Sequence, residues 1–311
     1  MAPATWNSRI FISAIYRFAN RLLKLFYTDP YDLPLPPGHK FPMRKYRMLR
    51  DALEPLGIME FEQAPLATAE QAELAHDPAY VRGFMEGTLT DREIRRIGFP
   101  YSKFLVRRTM ASLGGTLAAA NTAMVRGISG CLAGGTHHAA RAEGSGFCVF
   151  NDIAVGIKAL GRRAAVIDLD VHQGDGTAGI FAGDESVFTF SIHGANNFPF
   201  RKQHSSLDIA LPDGTGDDEY LEALETALPR VFAFQPEVIF YQAGVDALAS
   251  DKLGRLSMTP QGMARRDSIV FREVRQRRIP LVITLGGGYS EPIELTVAAQ
   301  VNTFRIAGSI E

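Results

Sequence analysis

From Gly130 onward the apolar positions of the chain fall into short unbroken runs. GCLAG (130–134), AAVIDLD (164–170), SVFTFSIH (186–193), EVIFYQAG (237–244) and PLVITLGGG (280–288) each have the length and composition of a strand. Between most of them lie stretches with apolar residues at helical spacing: NDIAVGIKALGRR (151–163), EYLEALETALPRVFAF (219–234) and TPQGMARRDSIVFREVRQRR (259–278). Continuous apolar strands alternating with helices predict a mostly parallel central sheet covered by helices on both faces.

The earlier part of the chain reads differently. DPYDLPLPPGHKFP (29–42) is too rich in proline for a helix and predicts a loop. MRKYRMLRDALEPLG (43–57) has helical spacing that Gly57 would end, and ATAEQAELAHDPAYVRGFMEG (67–87) reads as helix, turn, helix. SKFLVRRTMASLGGTLAAANTAMVRG (102–127) predicts one long helix in which Gly114 and Gly115 mark close packing or a break. There is no repeat, low-complexity segment or linker, so one α/β domain over residues 29–311 is expected. Residues 1–28 stand apart. They carry Arg9, Arg17, Arg21 and Lys24, no acid, and apolar Ile12, Ile15, Phe18 and Leu22 at helical spacing. This predicts a basic amphipathic extension: an extra helix on the domain, a surplus start, a peripheral membrane contact or an organelle-targeting segment.

Composition narrows the function classes. A net charge of −1 over 311 residues argues against a dedicated nucleic-acid binder. Two cysteines, Cys131 and Cys148, cannot build a disulfide framework and suit a reducing, cytoplasmic compartment. No apolar run is long enough to cross a membrane as a helix.

In open α/β sheets ligands bind beyond the carboxyl ends of the strands. At those ends stand Thr136, His137 and His138; Asp170, His172 and Asp175; His193, Phe198 and Phe200; Asp246; and Tyr289. Asp170 and His172 are two apart, so on a strand end they would point the same way. With Asp246 they form a set of two carboxylates and one imidazole, the donors of a catalytic zinc with an open position. The plainer alternative is a hydrogen-bonded loop pair. Imidazole makes magnesium the poorer choice of metal. His137 and His138 can supply a base, an acid or a positive charge. Asp168 and Asp175 are spare carboxylates that could orient them. LGGGYS (285–290) lacks the spacing and the lysine of a phosphate loop, so its glycines are read as letting the backbone pass close to the site, with Tyr289 at the rim.

The stretches GGTHHA with GSGFCVFND, VIDLDVHQGDGT, YQAGVDAL with DKLGRLSMT, and LGGGY resemble the histone deacetylase superfamily, which includes acetylpolyamine amidohydrolases and acetoin-utilisation proteins. PLPPGHKFPMRKYRML, HQGDG and FSIHGANNFPFRK are most similar to its class IV branch and the bacterial relatives of that branch. The resemblance implies an arginase/deacetylase-like fold and one zinc held by Asp170, His172 and Asp246. It implies His138 as general base and acid, His137 as its electrostatic partner, and Asp168 and Asp175 as their respective carboxylate partners. Tyr289 would polarise the acyl carbonyl. Gly146 and Phe147 would wall the acyl tunnel, with Leu253 at its rim. Ser191, with main-chain oxygens of Asp168, Asp170, His172 and Ile192, would hold a structural potassium ion. Arg44 would match an arginine below the active site. The implied activity is zinc-dependent, hydroxamate-sensitive hydrolysis of an N-acylated amine, either an acyl-lysine protein or a small molecule such as an acetylpolyamine. The acidic rim residue of several members has no counterpart. An arginase-type ureohydrolase, a non-catalytic acyl sensor and an accessory protein of acetoin metabolism are the competing expectations.

Overall fold

The computed structural model describes residues 22–309. Eight strands form one sheet: β1 (Leu23–Tyr27), β2 (Met59–Gln63), β3 (Ile128–Cys131), β4 (Ala164–Asp168), β5 (Val187–Gly194), β6 (Leu207–Leu211), β7 (Val238–Gln242) and β8 (Leu281–Thr284). Their order is β2-β1-β3-β8-β7-β4-β5-β6, and every neighbouring pair is parallel. The helices are α1 (Lys45–Leu53), α2 (Ala69–Ala72), α3 (Pro78–Glu86), α4 (Asp91–Ile97), α5 (Lys103–Arg126), α6 (Asp152–Leu160), α7 (Asp175–Ile180), α8 (Asp217–Ala233), α9 (Pro260–Gln276) and α10 (Glu294–Ser309).

Two hydrophobic clusters lie on opposite faces of the sheet. Alternate strand residues feed them: Ile239 and Tyr241 of β7 point into one, Val238 and Phe240 into the other. The first is closed by α1, α8, α9 and α10, the second mainly by α3, α5 and α6. Burial on both faces is why the central strands read as unbroken apolar runs. Helix α5 runs unbroken through Gly114 and Gly115. A side chain at Gly114 would collide with the Pro65 carbonyl and one at Gly115 with Cys131 Sγ, so close packing accounts for both glycines.

Three strands differ from the sequence expectation. Residues 23–27 were expected within an extension separate from the domain, yet they form β1, the second strand of the sheet. Lys24, which made this stretch look like a basic amphipathic helix, pairs across the strand boundary with Glu60 and Glu62 of β2. The domain therefore begins before residue 29, while residues 1–21 of the expected extension lie outside the described residues. Strands β2 and β6 sit at the two edges of the sheet. Their mixed polar patterns, MEFEQ and LDIAL, reflect edges that are only partly covered.

Candidate active site

The carboxyl ends of the central strands converge on a cavity of about 330 Å³. The segment after β3 carries His137 and His138 and is held from behind by the start of α6. Asp152 accepts hydrogen bonds from the amides of Gly135 and Thr136 and from the Thr116 hydroxyl. Asn151 caps α6 through its oxygen and donates to the Ala139 carbonyl and to Thr177 Oγ1. His76, absent from the sequence reading, locks the far side: its Nδ1 faces the Ala140 carbonyl at 3.0 Å and its Nε2 accepts from the Asn151 amide at 2.8 Å. Burial lowers its pKa to about 4, so it serves as a neutral strut.

Within this frame the two histidine rings lie 4.1 Å apart, and each meets one aspartate. His137 Nδ1 is 2.8 Å from Asp168 Oδ2, and His138 Nδ1 is 2.6 Å from Asp175 Oδ1. The similar bonds have opposite electrostatic outcomes. Burial disfavours charge on His137, but the Asp168 and Asp170 carboxylates outweigh it and raise the pKa to about 9. At His138 burial and the neighbouring His137 outweigh Asp175 and lower the pKa to about 4. At neutral pH one ring holds a proton and the other can accept one.

Asp170, His172 and Asp246 gather beside this pair, each offering a ligand atom within 4.8 Å of the others. Asp170 and His172 follow β4 rather than end it, so a loop aims them and strand alternation does not. That loop is held by the Asp170 amide on Asp168 Oδ1, the Val171 amide on Asp246 Oδ1 and the Gly287 amide on Asp170 Oδ2. His172 Nδ1 lies 3.0 Å from Asp170 Oδ1 and 3.1 Å from Asp246 Oδ2. Donors about 2.0–2.1 Å from a tetrahedral zinc would stand roughly 3.3–3.4 Å apart. One imidazole nitrogen and two carboxylate oxygens, with the imidazole nitrogen at nearly this spacing from each oxygen and all three within 4.8 Å of one another, are a donor set that would fit zinc. Burial opposes protonation of His172, but its two carboxylate neighbours raise its pKa to about 10. A cation taking these donors must displace that proton.

Aromatic rings wall the cavity. Phe147 and Phe198 line it, with the Phe198 ring edge-on to His138 at 4.9 Å and Phe200 exposed nearby. Gly146 brings the backbone so close that a side chain there would strike His138 and Phe198. Leu253 lines the cavity too, and its carbonyl accepts from Asn197 Nδ2. Tyr289 completes this wall. Its amide donates to Asp251 Oδ2, and burial holds its phenol pKa well above the usual value, so the hydroxyl keeps its proton. Asp251 also accepts from the amides of Leu253 and Gly254 and is thus engaged by backbone.

Ser191 and Ile192 lie on β5 alongside Asp168, and Ser191 Oγ is 3.0 Å from His193 Nδ1. The expectation for Arg44 is corrected. Arg44 is exposed and pairs with Glu294, because it precedes α1 on the outer surface. The next residue, Lys45, is fully buried; it donates to the Gly288 carbonyl and lies 5.1 Å from the Tyr289 ring centre. Arg108 of α5 also lines the cavity, stacked 4.2 Å from the Tyr46 ring. Sequence reasoning missed Lys45, Arg108, His76 and the wall role of Phe198. Only Phe198, in the loop after a strand end, carried a local signal.

Comparison with known proteins identifies the family and the fold. Residues 39–303 match the histone deacetylase domain. An uncharacterized protein of Picosynechococcus sp. is 43% identical over 276 residues, covering 86% of this chain and 92% of that protein. Histone deacetylase 2 of Arabidopsis thaliana is 30% identical, covering 93% of this chain and 80% of its own. Among solved structures, an HDAC homolog complexed with SAHA superposes with a TM-score of 0.81 at 24% identity, over 94% of this chain and 85% of that one.

Proposed function

This chain belongs to the histone deacetylase family, and on that premise we propose that it is a zinc-dependent hydrolase of N-acylated amines. The observation that carries the reading is the buried triad Asp170, His172 and Asp246 facing the same aromatic-walled cavity as His138 and Tyr289. Asp170, His172 and Asp246 would hold one zinc. Bound there, zinc supplies Lewis acidity that lowers the pKa of a water and polarises an amide carbonyl.

The chain's own residues supply the rest. Phe147 and Phe198 line the cavity, where their rings would pack on the acyl arm and exclude water. His138, neutral at pH 7, takes the proton of the attacking water, and Asp175 fixes its ring so that Nε2 is the basic atom. His137, holding its proton against Asp168, adds positive charge beside the site. Tyr289 donates to the carbonyl oxygen as negative charge develops on it. Protonated His138 then delivers its proton to the departing amine. Ser191, with carbonyls of Asp168, Asp170, His172 and Ile192, would hold a monovalent cation, potassium first, beneath the site.

Acyl-lysine is the first substrate class, and acetylpolyamines or other small acylated amines are the second. The class IV resemblance extends the series to longer acyl chains. The hydrolase is expected to work in the cytoplasm; among the described residues no helix is long and apolar enough to cross a membrane. The test is a panel of N-acyl-lysine peptides of rising chain length plus an acetylated polyamine, with SAHA as competitor. Release of amine and carboxylate from at least one member, blocked by SAHA, is expected. Binding without turnover across the panel would favour an acyl sensor.

A further inference from the structure

The geometry points to Arg266 as a positioning residue that ties together the two loops carrying the metal-ligating side chains, and so sets how tightly the triad holds its metal. This rests on the zinc reading above. Arg266 lies on α9, beneath the sheet's carboxyl edge, and is fully buried. Its Nη1 donates to the Gly244 carbonyl at 2.6 Å and to the Leu169 carbonyl at 3.2 Å. Leu169 immediately precedes Asp170, and Gly244 stands two residues before Asp246. One guanidinium, outside the residues that line the cavity, therefore grips both ligand loops.

The grip is itself held. Arg266 Nε donates to Asp267 Oδ1 at 2.9 Å, and Nη2 lies 2.7 Å from the same oxygen. Tyr241 Oη of β7 donates to Asp267 Oδ1 and Thr303 Oγ1 of α10 to Asp267 Oδ2, both at 2.5 Å. Tyr220 of α8 adds a longer bond, 3.4 Å, to the Leu169 carbonyl. The loops are packed so closely that a side chain at Gly244 would overlap Asp170. A small shift of either carbonyl would thus move Asp170 relative to Asp246. Stripping water from a guanidinium and a carboxylate is costly, and an apolar pair would fill a core equally well. What an apolar pair cannot do is fix two carbonyls in register. Partners outside the ligand shell typically change metal affinity by 10–100-fold.

The experiment measures the zinc dissociation constant by competition with a chromogenic chelator, at a temperature far below melting, with melting recorded separately. Arg266→Lys keeps the charge but loses the planar fork. Arg266→Met with Asp267→Asn removes both charges together, so that no buried ion is left unpaired. Tyr241→Phe removes a single support and keeps its ring. Phe84→Leu, in the cluster on the other face of the sheet, serves as a destabilised control. The expected result is zinc affinity weakened about tenfold or more in the double variant, less in Arg266→Lys and least in Tyr241→Phe, with Phe84→Leu unchanged. Parental affinity in the folded Arg266 variants, or an equal loss in Phe84→Leu, would overturn the inference. If the double variant does not fold, Tyr241→Phe decides: unchanged affinity there overturns it. A parent protein that binds no zinc would instead sink the zinc reading itself.

Discussion

His137 and His138 are adjacent, both buried, and each bonded through Nδ1 to an aspartate, yet one ring holds a proton to about pH 9 and the other loses it near pH 4. The partner bond does not separate them, because the shorter bond belongs to the less basic ring. The surroundings do. Asp168 is nearly inaccessible, and Asp170 stands within 3.9 Å of His137 as a second carboxylate. Asp175 is more exposed, and His138 faces the cation of its neighbour. Two copies of one motif thus become one ring held charged and one held neutral, through burial and the number of nearby charges.

The sharpest way to break this comparison is His138→Ala. Loss of the proton carrier should lower kcat by roughly 10²–10⁴ while zinc content stays at the parent value. A near-normal rate would move the base elsewhere, and loss of zinc would make His138 a ligand. Tyr289→Phe comes next. It removes one donor aimed at the developing oxyanion and should lower kcat by roughly 10²–10³, with substrate affinity little changed. A rate within about threefold of the parent would leave Tyr289 as a wall residue only.

Asp168→Asn and Asp175→Asn test the two partners directly. In the metal-free protein His137's raised pKa means its charge is present below about pH 9 and lost above it, which gives the titration of its ring an alkaline limb. Asp168→Asn withdraws a carboxylate that holds the proton and should move that limb to lower pH. Asp175→Asn should leave the limb in place and lower the rate through a loosened His138 ring. Equal profiles for the two variants would mean that the histidines are not differentiated.

His76 is a third case, a buried ring with no carboxylate at all. Its pKa near 4 lies below the ordinary 6.5, so the unfolded chain takes up a proton first as pH falls. Its contribution to stability is therefore fully present above pH 6.5 and lost progressively down to about pH 4. The loss should be on the order of 3 kcal/mol. His76→Gln can supply a donor and an acceptor without titrating, so its unfolding free energy should vary less over that range. An unchanged slope in denaturant titrations would mean that His76 is not the buried neutral strut described.

The same contrast between local and tertiary information decides what was legible in the sequence. The central strands β4, β7 and β8 are buried on both faces, so their apolar runs announced them, and the residues at their ends could be named. Strand β1 was hidden because the acids that neutralise Lys24 belong to β2, more than thirty residues away. The edge strands were hidden by their mixed exposure. Asp170 and His172 were legible as a pair, but their convergence with Asp246 comes from loop hydrogen bonds rather than from strand alternation. Lys45, Arg108 and Arg266 look like ordinary helix-surface cations in sequence, and only the packing of α1, α5 and α9 shows that they are buried.

Amide hydrolysis is proposed to depend on one metal held by the triad Asp170, His172 and Asp246. The most direct measurement strips the protein with a chelator and titrates zinc back while following release of amine from an acyl-lysine peptide. Negligible turnover without metal, a linear return that saturates at one zinc per chain, and no return in Asp246→Ala are expected. Full turnover in the stripped protein, or saturation only at two manganese ions per chain, would contradict the proposal.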